Sequence, residues 1–152
     1  MNPVEILFQN DRFVVCVKPA GVLSQAAEHG VTMPALLEAA LGGPVSPVHR
    51  LDRPTGGVMV YARTAKAAAQ LSALAAEGKL RKEYLAVLKG TPPAPAGRLD
   101  DLLYHDPRRN KTYVTDRKRR GVREASLLYE TVETRDGRTR TSDRPSRATT
   151  VS

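Results

Sequence analysis

The 152-residue sequence predicts a mixed α+β fold. Short β-rich runs are joined by turn-forming residues, and the first pair, residues 6–8 and 13–18, flanks a polar set at 9–12. Two segments of helical composition, residues 34–41 and 65–77, separate later strand-like runs. Strands and helices therefore alternate along the chain without an internal repeat.

Each predicted helix has recognisable ends. Pro34 stands where the first turn of the first helix would begin, and glycines follow its last residue. Thr64 is a suitable N-cap for the second helix, which is rich in alanine and is expected to end at Gly78. The later strands are expected at residues 58–62, 83–88, 99–104, 112–114 and 125–132.

Charge and composition limit the class of protein. The net charge of +8 and the pI near 10.0 indicate a polyanionic partner, either nucleic acid or an anionic membrane surface. We find no signal peptide and no apolar run that could span a bilayer, so we expect a cytoplasmic protein without a membrane partner. The single cysteine, Cys16, lies in an apolar run and is expected to be a buried thiol.

One loop carries the strongest chemical signal. Residues 49–57 have the sequence HRLDRPTGG, which places one carboxylate, Asp52, between Arg50 and Arg53 and ahead of an apolar strand. The flanking cations favour the ionised form of this carboxylate. An ionised carboxylate on a loop is a candidate nucleophile, and a solvated surface loop is the alternative interpretation.

Four motifs in order resemble the RluA-like family of RNA pseudouridine synthases. The loop matches the family pattern H-R-L-D-x-x-T-S-G except at Gly56, where the family usually has serine. The other three are a strand with a Lys-Pro-x-Gly turn at 13–23, a Lys-x-Tyr strand at 82–87 and a basic hairpin at 102–114. The resemblance covers residues 6–133. It implies an α+β fold with a mixed, mostly antiparallel sheet and flanking helices.

The resemblance also implies a function, the isomerisation of uridine to pseudouridine in ribosomal or transfer RNA. It assigns catalysis to Asp52, packing on the flipped uracil to Tyr84, and contact with the RNA around the flipped nucleotide to Arg50, and both are substrate-binding residues. On spacing alone, Tyr84 would be a half-buried strand residue and Arg50 a partner that orients Asp52. No cofactor is implied, and the widely spaced histidines with one cysteine give no metal-ligand pattern.

Basic side chains outside the loop are candidates for phosphate contacts, which position RNA without reading its sequence. The candidates are Lys18, Arg108, Arg109 and Lys111. A second basic cluster at residues 117–120 could act in the same way, although charge runs often form a solvated face. We expect a monomer whose partner is RNA and not DNA.

From Thr134 onward the composition changes to arginine, threonine and serine, with Val151 as the one larger aliphatic residue. The sequence therefore predicts a catalytic domain at residues 1–133, incomplete at its C-terminus, and a disordered basic tail at 134–152. Residues 137–139 match the start of the family motif Gly-Arg-Thr-His-Gln-x-Arg, but the next residues do not, and we expect a coincidence.

The expected loss of this motif leaves a second hypothesis open. The chain would then be a shortened, inactive relative that binds RNA without modifying it. A glycosidase is a third and weaker hypothesis, because such enzymes use a pair of carboxylates and no second one is matched here.

Overall fold

The structure is a computed structural model that describes residues 4–145 and the backbone of 149–150. The chain divides into two compact units between Leu80 and Arg81. In chain order the elements are β1 (Glu5–Gln9), β2 (Phe13–Lys18), α1 (Met33–Leu41), β3 (Ser46–Pro47), β4 (Gly57–Ala62), α2 (Ala65–Ala76), β5 (Tyr84–Lys89), β6 (Ala96–Asp106), β7 (Lys111–Thr115), β8 (Val122–Arg135), β9 (Arg138–Pro145) and β10 (Thr149–Thr150). The named strands of the described chain all pair antiparallel, so the predicted α+β class is confirmed.

The first unit is a four-stranded sheet with two helices, and its strand order is β1-β2-β4-β3. The central strand β2 alternates buried and half-buried residues, as a strand with one fully covered face should. Its buried face packs against α1 and against the inward residues of β4. The core residues of this cluster are Val14, Cys16, Met33, Leu37, Val45, Met59 and Tyr61.

Cys16 is fully buried in this core, as its apolar surroundings in the sequence predict. Burial disfavours the charged thiolate and raises the pKa of Cys16 to about 11. The thiol therefore stays neutral and acts as a small apolar side chain.

The second helix begins at its predicted cap, Thr64, and the first begins at Met33, one residue before Pro34. The side chain of Thr32 accepts a hydrogen bond from the backbone N–H of Ala35 at the start of α1, and Thr64 does the same for Ala67 in α2. Gly42 ends α1 in the left-handed conformation, with φ of 72°. In the described residues, no helix is long and apolar enough to cross a bilayer.

The second unit is a six-stranded antiparallel sheet. Its strand order is β5-β9-β8-β6-β7, and β10 pairs with β8. The predicted hairpin around the basic residues 108–111 is present as β6 and β7. Among the described residues of this unit, the side chains of Val122, Thr139 and Thr141 are fully buried.

The prediction of a disordered tail from residue 134 is wrong for the described residues. β8 continues to Arg135, a tight turn follows, and β9 lies between β5 and β8 with hydrogen bonds to both. Thr139 and Thr141 on β9 are buried, although the segment has almost no aliphatic side chains. Threonine is β-branched and favours strands, which a count of aliphatic residues ignores. The rest of the predicted tail, residues 146–148 and 151–152, lies outside the described residues.

Candidate active site

The Asp52 side chain is exposed on the loop that leads into β4. Its backbone oxygen accepts a hydrogen bond from the N–H of Thr55, 3.0 Å away, which closes a turn through Arg53 and Pro54. The carboxylate therefore stands at the surface on a tight, hydrogen-bonded turn, where a large substrate can reach it.

Ser24 holds the residue before Asp52. Its hydroxyl donates to the backbone oxygen of Leu51 at 2.5 Å and accepts from the N–H of Leu51 at 3.0 Å. Tyr61, buried on β4, donates from its hydroxyl to the backbone oxygen of Ser24 at 2.6 Å. These bonds fix the peptides around Leu51 to the core of the unit. The sequence did not indicate Ser24 or Tyr61, because their partners lie 27 and 37 residues away along the chain.

Lys18 holds the residue after Asp52. The backbone oxygen of Arg53 accepts hydrogen bonds from Lys18 Nζ at 3.2 Å and from the N–H of Gly21 at 2.7 Å. Arg53 Nε in turn donates to the oxygen of Gly21 at 3.1 Å. The loop is thus attached on both sides of Asp52, and the carboxylate between the two attachments remains exposed.

The burial of Lys18 contradicts its predicted role as a phosphate contact. Its side chain is fully buried, and Nζ also donates to the backbone oxygens of Pro19 and Val22 at 3.1 and 2.6 Å. Burial lowers the pKa of Lys18, and the nearby negative charge of Asp52 opposes this effect. All three donors of the ammonium group point at backbone oxygens, so it positions the loop and does not reach RNA.

Two glycines allow the loop to lie close to the β2 turn. A Cβ at Gly56 would lie 3.3 Å from the backbone oxygen of Lys18, which is tighter than ordinary contact. Gly57 adopts φ of 153°, a conformation that other residues avoid. Glycine at 56 therefore fits a closer approach than the serine usual in the family.

His49 supports the loop through a hydrogen bond. Its Nε2 accepts a hydrogen bond from the backbone N–H of Val60 on β4, 3.1 Å away. This bond connects the start of the loop to the strand that follows it. Among the residues that the structure describes, no three His, Cys, Asp or Glu side chains are grouped so that they could hold a metal ion.

Tyr84 belongs to the second unit and is the first residue of β5, where it is half-buried. It lies directly opposite Asp143 in the β5–β9 ladder, and Asp143 lies opposite Tyr129 in the β9–β8 ladder. The three side chains consequently share one face of the sheet. The predicted stacking of Tyr84 on uracil remains a prediction.

The remaining predicted contacts are exposed. Arg50 lies on the Asp52 loop, whereas Arg108, Arg109 and Lys111 lie at the tip of the β6–β7 hairpin. Asp106 stabilises this tip, since its carboxylate accepts from the backbone N–H of Arg108 at 2.9 Å. The basic side chains therefore project from an ordered turn, and their contacts with RNA remain predictions.

Comparison with known proteins identifies the family to which this chain belongs. Residues 12–151 match the family model for RNA pseudouridylate synthase. The chain therefore belongs to this family, as the four motifs predict. The match extends beyond residue 133, so the resemblance does not stop where the sequence analysis expected.

Individual relatives agree with this family. The chain is 40% identical over 97 residues to a tRNA pseudouridine synthase C of Vibrio parahaemolyticus, over 59% of this chain and 39% of the relative. It is 34% identical over 101 residues to a ribosomal large subunit pseudouridine synthase D of Zymomonas mobilis, over 59% of this chain and 32% of the relative. These matches thus cover less than half of each relative.

Solved structures show the same fold. Human RNA pseudouridylate synthase domain containing 4 superposes with a TM-score of 0.74 at 26% identity, over 93% of this chain and 58% of that one. Human RNA pseudouridylate synthase domain containing 1 gives a TM-score of 0.78 at 18% identity, which supports the fold alone. The chain spans less than two thirds of either protein.

Proposed function

We propose that this chain acts as an RNA pseudouridine synthase and that Asp52 is its catalytic residue. The observation that carries the proposal is the exposed Asp52 carboxylate, held by Ser24 at the preceding residue and by Lys18 at the following one. Catalysis needs such placement, because small displacements of a reacting group are costly in rate.

The reaction is an isomerisation, so every atom of uridine is kept. The bond between N1 of uracil and C1′ of ribose breaks, the ring turns, and C5 bonds to C1′. The proton on C5 leaves and N1 gains one. The Asp52 carboxylate either attacks the sugar or stabilises the positive charge that develops there. No cofactor takes part in the proposed chemistry.

The target nucleotide is a uridine in folded RNA, which must leave its stack to reach a catalytic carboxylate. Tyr84 offers a ring for the flipped base, and Arg50 is exposed beside Asp52 for contact with the flanking RNA. Arg108, Arg109 and Lys111 supply phosphate contacts from the hairpin.

The names of the relatives support transfer RNA or large-subunit ribosomal RNA as the substrate class. We propose RNA and not DNA as the partner, because the reaction needs a ribouridine. We further propose that the protein works as a monomer in the cytoplasm, where these RNAs function, and needs no membrane partner.

The test compares Asp52→Asn with Asp11→Asn, which changes an exposed aspartate in the β1–β2 turn. Transfer and ribosomal RNA transcripts are incubated with each variant, and pseudouridine is detected by carbodiimide labelling and primer extension. We expect conversion by the wild type and by Asp11→Asn, and none by Asp52→Asn. Normal conversion by Asp52→Asn would overturn the assignment. Salt-sensitive RNA binding without conversion by the wild type would instead favour the inactive RNA-binding relative.

A further inference from the structure

We propose that Tyr113, with Tyr104 and Arg119, forms a stacking platform for an unpaired RNA base, separate from the position of Tyr84. This inference rests on the proposed function for its choice of RNA as the ligand. It starts from the β6–β7 hairpin, in which Tyr104 and Tyr113 lie directly opposite each other. Their side chains consequently share one face of the sheet.

Tyr113 is accessible to a ligand. It lies on β7, the edge strand of the sheet, and is 42% exposed despite its large ring. An aromatic ring at an open sheet edge can accept a base on its face without displacing another strand. Every base has a π-face, so such a contact tolerates different sequences.

Arg119 extends the platform. Its guanidinium carbon lies 4.4 Å from the centre of the Tyr104 ring, which is a cation–π contact. Two contacts hold the loop that carries Arg119. Lys118 Nζ contacts the Glu124 carboxylate at 2.7 Å. The backbone N–H of Val122 donates a hydrogen bond to the backbone oxygen of Arg119 at 3.1 Å. A guanidinium held over a ring offers a second planar group on which a base can stack.

The charge around these rings suits a nucleic acid backbone. Residues 106–124 contain eight cationic and three acidic side chains, a net charge of +5. Within the part of the chain that the structure describes, Arg108 and Lys111 at the hairpin tip have no acidic group within salt-bridge distance. Cationic side chains beside an exposed aromatic ring are the usual arrangement for binding single-stranded nucleic acid.

The platform is distant from Tyr84 within the second unit. The ladder that begins at Tyr84 passes through directly paired residues on the neighbouring strands, which are Asp143, Tyr129 and Gly97. Tyr104 follows Gly97 by seven residues along β6. At ordinary strand spacings this separation is roughly 25 Å, and the odd offset places Tyr104 on the opposite face of the sheet from Tyr84. A base at the platform is therefore not the base proposed to stack on Tyr84 but a second, unpaired nucleotide of the same RNA.

The experiment measures binding of fluorescein-labelled oligouridine, twelve nucleotides long, to the full chain across a salt series. We compare Tyr113→Ala with Tyr113→Phe, which keeps the ring, and with Val114→Ala, which changes an exposed neighbour on the other face. Tyr113→Ala should weaken binding by roughly 5- to 150-fold, the effect of losing one stacked base. The salt slope should stay unchanged, because no phosphate contact is lost. Tyr113→Phe and Val114→Ala should bind like the wild type.

Equal affinity of Tyr113→Ala and Val114→Ala would overturn the platform. If circular dichroism shows that Tyr113→Ala alters the fold, Tyr113→Leu replaces it, since leucine keeps the apolar bulk and removes the π-face. Retention of affinity by that folded variant would count equally against the proposal. Arg108→Ala should lower the salt slope, which separates phosphate contacts from stacking. Asp52→Asn should abolish conversion and leave oligouridine binding intact, so failure of the platform and failure of the proposed function give different results.

Discussion

Lys18 Nζ donates a hydrogen bond to the backbone oxygen of Arg53, 3.2 Å away, and so connects the central strand of the first unit to the peptide that follows Asp52. The sequence suggests a basic residue free for phosphate, but the structure turns this cation inward. Its charge is balanced by backbone oxygens and by the nearby Asp52 carboxylate. Lys18 thereby couples the stability of the unit to the position of the proposed catalytic residue.

Lys18→Met should lower both stability and turnover while leaving RNA affinity nearly unchanged. The variant removes the Lys18 hydrogen bonds to three backbone oxygens, and the Arg53 oxygen keeps only the N–H of Gly21, at a cost of about 1–3 kcal/mol in the free energy of unfolding. Urea denaturation and initial rates of pseudouridine formation measure the two effects. Lys66→Met, which changes an exposed lysine on α2, is the matched control. Loss of RNA affinity with unchanged stability would restore the phosphate-contact role.

Ser24→Ala should lower kcat more than it changes KM. The variant removes both hydrogen bonds to Leu51 and frees the peptide before Asp52, so the carboxylate is placed less accurately. We expect a loss of roughly 10- to 100-fold in kcat. Ser72→Ala on the exposed side of α2 serves as the control. A rise in KM alone would show that Ser24 supports substrate binding and not the orientation of Asp52.

The elements that the sequence predicts well are those fixed by neighbouring residues. Thr32 and Thr64 cap helices through bonds to residues three positions ahead, and the β6–β7 hairpin closes over a few residues. β9 was missed although Asp136-Gly137 is a local signal for its hairpin with β8, and its other neighbour, β5, lies more than 50 residues earlier in the register Tyr84 to Asp143. Long-range pairing leaves little trace in local composition.

The same distinction between local and long-range interactions holds for the Asp52 loop. The HRLD motif identifies Asp52, but its supports Ser24 and Tyr61 come from distant segments. Lys18 was predictable in principle, since it continues the two-residue alternation of Val14 and Cys16 on β2 and so belongs to their buried face. The sequence interpretation gave more weight to the charge of Lys18 than to this periodicity, and it therefore assigned Lys18 to a phosphate contact, which its burial contradicts.

Cys16→Ala should reduce the loss of stability at alkaline pH. Burial raises the pKa of the Cys16 thiol from 9.0 in the unfolded chain to about 11 in the folded one. Below pH 9 the thiol is protonated in both the folded and the unfolded chain, so its full contribution to the free energy of unfolding is present. As the pH rises from 9 towards 11, the unfolded state releases the proton first, so the free energy of unfolding falls by about 1–3 kcal/mol.

Urea denaturation of the wild type and Cys16→Ala at pH 8, 9, 10 and 11 measures this effect. Titration of Tyr61 also lowers the free energy of unfolding above pH 10, because burial raises the pKa of Tyr61. Titration of Lys18 raises the free energy of unfolding as the pH approaches 10.5, because burial lowers the pKa of Lys18. Both groups are present in the two proteins, so the difference between the curves reports Cys16 together with its effect on Tyr61, whose pKa the Cys16 charge also raises. Parallel curves throughout this range would contradict the prediction.

Thr141→Val should stabilise the second unit, whereas Thr139→Val should destabilise it. Both threonines are fully buried on β9. Thr139 Oγ1 donates to the backbone oxygen of Gly90 at 2.7 Å, but Thr141 Oγ1 has no hydrogen-bond partner among the described residues. Thr141 instead lines a cavity of about 400 Å³ with apolar neighbours that include Leu88 and Leu127. A buried hydroxyl without a partner costs free energy that an isosteric methyl group does not.

Thermal unfolding of the two variants tests this contrast on one strand. Thr141→Val should gain about 1 kcal/mol and raise Tm by about 2–4 °C. Thr139→Val should lose about 1–3 kcal/mol, because the oxygen of Gly90 is left without its donor. The two substitutions have the same size and sit two residues apart on the same face, so strand propensity and volume cancel in the comparison. A decrease in Tm for both variants would show that the Thr141 hydroxyl is satisfied in solution.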